Sequence, residues 1–133
     1  MYLGLDFGTS SVKGVLIDAR QKIVATASAP LKVSRPQPGW SEQNPEDWWK
    51  ACNIVVKTLG KMKPKAIAAV AGIGLSGQQH GATLIGKDGK ALRPCILWND
   101  GRSVAECREL EAAVSDARTI TGNIAMPEIG RAS

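Results

Sequence analysis

The sequence predicts an α/β domain built on a mixed sheet, and three observations carry that prediction. Strand-like runs at residues 2–6, 12–18 and 23–28 are joined by short connections, so they form an antiparallel meander; parallel neighbours need a crossover of a dozen residues or more. A capped helix comes next, opening at Asn44-Pro45. Behind it, the unbroken run Ile67-Ala68-Ala69-Val70-Ala71-Gly72-Ile73-Gly74-Leu75 has the small apolar character of a strand buried on both faces, which makes the helix a crossover back into the sheet.

The first two strands are joined by Asp6-Phe7-Gly8-Thr9-Ser10-Ser11, with Lys13 just beyond. Two readings fit that spacing. In one it is an ordinary hairpin, with Asp and Gly for the bend and hydroxyls for solubility. In the other it is a turn that holds nucleotide phosphate and magnesium. Asp6 would then hold a hydrated Mg2+, which prefers one or two carboxylates and keeps several waters. The backbone around Gly8, Thr9 and Ser10 would form an anion-binding concavity, and Lys13 would add a mobile positive charge.

Composition bounds the alternatives. A chain of 133 residues, 44% apolar and 22% charged, supports one soluble globular domain. No apolar run approaches the roughly 20 residues needed to cross a bilayer. Met1 leads straight into a strand-like run, with none of the marks of a secretory signal. The three cysteines, Cys52, Cys95 and Cys107, are widely spaced and accompany a single histidine, which argues against both a zinc site and a disulfide framework. They read as reduced thiols in a cytoplasmic protein. The net charge of +5 is scattered along the chain, so it does not support nucleic-acid binding, and an anionic nucleotide needs only local charge.

The segment Gly39-Trp40-Ser41-Glu42-Gln43-Asn44-Pro45-Glu46-Asp47-Trp48-Trp49 runs from an irregular loop into the helix. Asn44 is the N-cap, Pro45 takes the first helical position, and Glu46 and Asp47 complement the helix dipole. Trp48, Cys52, Val55 and Leu59 share one helical face, and Gly60 is placed to end the helix. The tryptophans read as core or loop anchors.

Gly72-Ile73-Gly74-Leu75-Ser76-Gly77 matches the dinucleotide fingerprint G-x-G-x-x-G, but that fingerprint requires a helix at its last glycine. The chain continues instead with Gln78-Gln79-His80-Gly81 and then a hairpin signal, residues 82–85 and 91–94 around the Lys87-Asp88-Gly89-Lys90 tip. The Rossmann reading is therefore rejected, and the glycines are taken to thin the strand for a close approach. Gln78-Gln79-His80 falls at the end of a central strand, where open sheets place ligand groups. Two amides and an imidazole suit a polyhydroxylated substrate, although a lone histidine is often structural.

Cys95-Ile96-Leu97-Trp98 reads as a further strand and Asn99-Asp100-Gly101-Arg102 as its exit. A helix is predicted from about Ser103, carrying Val104, Cys107, Leu110 or Glu111, and Val114, with charged residues between them. Either Asn99 and Asp100 cap that helix or, with Trp98 as an apolar wall, Asn99, Asp100 or Arg102 reach into a sugar site or hold its lip. Thr119-Ile120-Thr121-Gly122-Asn123 is a short turn-forming element.

Taken together, these segments resemble the FGGY carbohydrate kinases, relatives of actin and the heat-shock ATPases. Asp6-Phe7-Gly8-Thr9-Ser10 is similar to the family's first phosphate motif, and Gly39 to Trp49 to its W-x-E-Q-x-P-x-x-W-W segment. Gly77-Gln78-Gln79-His80-Gly81, Leu97-Trp98-Asn99-Asp100-Gly101-Arg102 and Thr121-Gly122-Asn123 resemble the xylulokinase branch in particular. The resemblance implies a ribonuclease H-like (actin-like ATPase) fold, and ATP- and Mg2+-dependent phosphorylation of D-xylulose to D-xylulose 5-phosphate. By position it implies Asp6 at metal and phosphate, with Gly8, Thr9, Ser10 and Lys13 at phosphate. Gln79, His80, Trp98, Asn99 and Asp100 fall at the ketose.

Family members are several times longer, and the general base, a downstream aspartate, has no counterpart here; Asp100 and Asp116 stand in the wrong motifs to replace it. Residues 1–127 are accordingly read as a partial N-terminal kinase domain, and 128–133 as a truncated end or residues foreign to the family. The chain alone is expected to be inactive, and a part-fold that exposes core surface opens a route to homodimers or aggregates. The competing readings are a kinase for another sugar or polyol, and a non-catalytic actin-like nucleotide-binding module.

Overall fold

A computed structural model describes residues 1–126. In chain order the elements are β1 (Tyr2–Phe7), β2 (Ser11–Ile17), β3 (Ile23–Pro30), β4 (Glu42–Gln43), α1 (Pro45–Met62), α2 (Pro64–Ala68), β5 (Gly72–Gly77), β6 (Cys95–Ile96), α3 (Val104–Ala113) and α4 (Ala117–Thr121). They fall into two compact units: Met1–Val33 with Asn44–Gln79, and Ser34–Gln43 with the segment that starts at His80.

The first unit is the predicted meander and crossover. Its four-stranded sheet has the order β3-β2-β1-β5, with β1 antiparallel to β2, β2 antiparallel to β3, and β5 parallel to β1. Alternation along the strands sends Leu3, Leu5, Val12, Leu16, Ala25 and Ala29 to one face, where α1 covers them with Ala51, Cys52, Val55 and Leu59. Gly14 lies under that helix, and a Cβ there would stand 2.4 Å from Val55 Cγ1 and 3.1 Å from Leu59 Cδ1. The helix can approach β2 this closely only because the position has no side chain.

The start of α1 is the one read from sequence: Pro45 is in its first turn and Asn44 Oδ1 accepts a hydrogen bond from the Glu46 N–H at 3.1 Å. Its end is not. The helix runs through Gly60 to Met62, and Lys63, which precedes Pro64, is the cap, with φ −142° and ψ 68°. A residue before proline is driven out of the α region, and that constraint stops the helix where the glycine does not. Trp48 is only half-buried and Trp49 is 65% exposed, so the core face of α1 is carried by Cys52, Val55 and Leu59 with Ala51.

The long apolar run after Pro64 divides. Pro64 opens the single helical turn α2, favoured by the alanines around Ile67, and the strand begins only at Gly72. β5 lies at the edge of the described sheet rather than at its centre, and Ile73 and Leu75 are 63% and 73% exposed, so burial on both faces is not observed. No helix opens at Gly77, in agreement with the rejection of the dinucleotide fingerprint.

In the second unit β4 pairs antiparallel with β6 through Glu42↔Ile96 and Gln43↔Cys95. The expected hairpin is present as a closed loop rather than a ladder. Gly89 has φ +76°, the Gly86 N–H donates to the Lys90 carbonyl at 2.8 Å, and an isolated bridge joins Ile85 to Ala91. The strand expected at 95–98 stops at Ile96 because Leu97 enters a turn. α3 starts where expected, but Val104, Leu110 and Val114 are all exposed among the described residues, so its apolar stripe is not a core face there. Residues 119–123 form the end of α4 and a left-handed Gly122 at φ 68°. The expected tail at 128–133 lies outside the described residues.

Replacing Gly14 by alanine is expected to destabilise the first unit by about 1–3 kcal/mol through overpacking against Val55. Urea unfolding checks this as a lower midpoint at unchanged slope.

Candidate functional site

The turn between β1 and β2 is tightly closed. The Gly8 N–H donates to the Ser11 carbonyl at 3.1 Å and the Leu31 N–H to the Ser10 carbonyl at 2.8 Å, which ties the turn to the end of β3. Gly8 leaves room that a side chain would fill: a Cβ there would meet Ser11 O at 3.3 Å and Asp6 Oδ2 at 3.6 Å. Asp6 and Lys13 stand opposite each other in the β1–β2 ladder and therefore project to the same face. That face is turned away from α1, and both side chains line an open hollow of about 830 Å3 there, with Val15, Thr26, Ser28 and Ser76. Ser10 and Lys13 are exposed, while Asp6, Gly8 and Thr9 are half-buried.

Parallel pairing of β1 with β5 brings a second group to the same edge. Asp6 is level with Ser76 and Phe7 with Gly77, and the ladder is extended by the Gln78 N–H donating to the Phe7 carbonyl at 2.9 Å. Thr9 Oγ1 then donates to Gln78 Oε1 at 3.0 Å. In the sequence Gln78 stands out only as part of the Gln-Gln-His triplet, and its role as the link from strand tip to phosphate-like turn becomes visible only once β1 and β5 pair. Gln79, the last residue of this unit, is exposed.

The remaining candidates belong to the second unit. His80 is exposed and has φ +60°, a left-handed conformation uncommon for any residue but glycine. Trp98 is 36% exposed and Asn99 half-buried, whereas Asp100 is 2% exposed. Both Asp100 oxygens are engaged within the chain: Oδ2 by the Ser41 N–H and by Arg102 Nη2 at 2.6 Å, Oδ1 by Arg102 Nε at 2.7 Å and the Arg102 N–H at 3.0 Å. It does not cap α3, whose N-cap is Ser103. Burial would raise the Asp100 carboxyl, but the Arg102 guanidinium and the Ser41 and Arg102 N–H groups outweigh it and hold the carboxyl at about 2. The same hydrogen bond to Asp100 pushes Arg102 above its ordinary value against the opposing effect of burial. Glu42, which no sequence pattern marks as a site residue, accepts from both Arg102 and Arg93. The only signal in the sequence is that Glu42 and Arg102 lie in the two segments that resemble family motifs.

Among the described residues no group of three or more His, Cys, Asp or Glu could hold a metal. Asp6, a single accessible carboxylate beside a phosphate-like turn, fits the sparse ligation that Mg2+ accepts when waters and phosphate oxygens complete its shell. No helix of the described residues is long and apolar enough to cross a membrane.

The model of the FGGY family of carbohydrate kinases, N-terminal domain, matches residues 1–130. The chain belongs to this family. It is 50% identical over 127 residues to the xylulose kinase of Klebsiella pneumoniae, a match covering 96% of this chain and 26% of that protein. Its structure is similar to that of a xyloylose kinase from Brucella ovis, with a TM-score of 0.89 and 56% identity, over 95% of this chain and 26% of the other. The Rhodospirillum rubrum xylulose kinase gives a TM-score of 0.88 at 34% identity, over the same shares. This FGGY chain thus spans about a quarter of the length of these relatives, and its mixed sheet is the actin-like ATPase fold of the sugar kinases.

Because the Asp100 carboxyl is depressed in the folded chain, its stabilising contribution is complete above its ordinary value and is lost as pH falls through about 2. The stability difference between the parent and Asp100→Asn, measured by urea unfolding, is expected to be largest near neutral pH. It should shrink steadily from about pH 5 to about pH 2.

Proposed function

We propose that the chain is the N-terminal part of an ATP-dependent xylulose kinase, which transfers the γ-phosphoryl group of ATP to a hydroxyl of D-xylulose and yields D-xylulose 5-phosphate. The observation that carries this reading is the Thr9–Gln78 hydrogen bond, which couples a phosphate-type turn to the tip of the strand leading into Gln79 and His80. The names of the similar proteins support the choice of sugar.

Phosphoryl transfer asks mostly for positioning and charge stabilisation, and the residues divide along those lines. Asp6 would hold Mg2+, which when bound neutralises charge on the phosphate oxygens. Gly8 permits close approach of the phosphates, Thr9 contacts them through its backbone N–H because its hydroxyl proton is given to Gln78, Ser10 contacts them through its N–H and hydroxyl, and Lys13 adds a positive charge from the same strand face. Gln79, His80 and Asn99 offer donors and acceptors to ketose hydroxyls, Trp98 offers an apolar wall, and Asp100 acts from behind as a support. The general base and the rest of the nucleotide site belong to segments outside these residues. Free, largely buried thiols and the use of ATP agree with a cytoplasmic location.

Assays of the full-length protein with ATP, Mg2+ and a panel of ketoses and polyols are expected to give the highest kcat/KM with D-xylulose. A clear preference for another polyol would replace the substrate in this reading. Asp6→Asn should lower kcat by about 100-fold or more, as expected for loss of a metal that stabilises transferring phosphate. The 133-residue chain alone is expected to turn over no sugar.

A further inference from the structure

Trp98 and Asn99 occupy the two corners of a turn. The Asp100 N–H donates to the Leu97 carbonyl at 3.1 Å, which makes Leu97 and Asp100 the ends of that turn, and each of these is 2% exposed. Both ends are anchored to the segment 39–42. The Leu97 N–H donates to the Ser41 carbonyl at 3.0 Å, the Ser41 N–H donates back to Asp100 Oδ2, and the Gly101 N–H donates to the Gly39 carbonyl at 2.8 Å. Arg102 locks this arrangement. Its Nε and Nη2 grip the two Asp100 oxygens, its Nη1 reaches Glu42 Oε1 at 2.7 Å, and its guanidinium lies 3.7 Å from the centroid of the Trp40 ring.

The set has the form of a jig: buried ends, fixed by one planar cation, hold two outward corners. Lysine could supply the charge but neither the bidentate fork nor the stacking surface. Asn99 Oδ1 and Ser41 Oγ are buried and have no hydrogen-bond partner among the described residues. Buried polar atoms are costly to leave unpaired, so Asn99 and the neighbouring Ser41 each call for a partner that the described residues do not supply.

We propose that Arg102 is a positioning residue for the sugar, fixing the orientation of Trp98 and Asn99 through Asp100 without itself touching the ligand. This rests on the reading of the Trp98–Asn99 turn as part of the ketose site. Arg102 then governs sugar affinity and not nucleotide affinity, because its contacts among the described residues are to Asp100, Glu42 and Trp40 and not to the β1–β2 turn.

The test compares full-length wild type with Arg102→Lys and with Glu42→Gln, which keeps an acceptor for Arg102. Arg102→Lys is expected to raise KM for D-xylulose by about tenfold or more, as small misplacements of binding groups do, with KM for ATP within about twofold of wild type. Glu42→Gln should show a smaller change in the same direction. Parallel rises in both KM values, or no rise in either, would overturn the proposal. Amide hydrogen exchange at Asp100 and Gly101 reads the brace without substrate: about tenfold faster exchange in Arg102→Lys, with unchanged β2 amides, is expected, and unchanged exchange at both positions overturns it. A wild-type protein that phosphorylates no ketose but shows this exchange pattern removes the functional reading and the sugar role with it, and leaves the brace standing.

Discussion

Parallel pairing of β1 with β5 is the constraint on which the arrangement of the first unit depends. Antiparallel hairpins place consecutive strand ends at opposite edges, so the meander alone could not bring the Gln78-Gln79 tip to the β1–β2 turn. The crossover through α1 returns the chain in the direction of β1, and the Gln78 N–H to Phe7 carbonyl bond continues the ladder one residue past the strands. From there the Thr9 hydroxyl needs only one hydrogen bond to join the β1–β2 turn to the tip of β5. Gly14 makes the crossover possible, because α1 must lie close on β2 for the returning strand to reach β1.

Much of this is legible in the residues. Short connections force the meander, Asn44-Pro45 marks the helix start through local hydrogen-bonding and φ constraints, and the alternation of Leu3, Leu5, Val12 and Leu16 assigns the core face. The differences between expectation and structure share a cause, which is that local pattern does not report tertiary surroundings. The Ile67–Leu75 run looks fully buried because it is small and apolar, yet its first part prefers a helical turn and its last part is an exposed edge. Gly60 looks like a stop, but Pro64 sets the boundary by restricting Lys63. The β1–β2 turn is visible by composition, in Asp6, Gly8 and the hydroxyls that follow. The brace is not, since Glu42 and Arg102 lie 60 residues apart and no periodicity connects them.

That brace also shows how a buried charge is tolerated. An isolated carboxylate as enclosed as Asp100 would be strongly disfavoured, but here it accepts four hydrogen bonds, three of them from one arginine. Such a cluster contributes specificity of geometry more than net stability, because desolvation offsets much of the attraction between its members. Glu42 completes it by sharing one oxygen between Arg93 and Arg102, so one charged member comes from the short segment and the other three, Arg93, Asp100 and Arg102, from the stretch on either side of β6.

The turn from Leu97 to Asp100 separates two duties along four consecutive residues. Its ends are held by backbone and ionic contacts that ignore the identity of whatever stands between them, so the intervening dipeptide is free to diverge while the scaffold persists. If Trp98 and Asn99 meet the sugar as proposed, a lineage descended from such a chain could acquire a taste for a different carbohydrate by exchanging two neighbouring codons, with its folding machinery untouched.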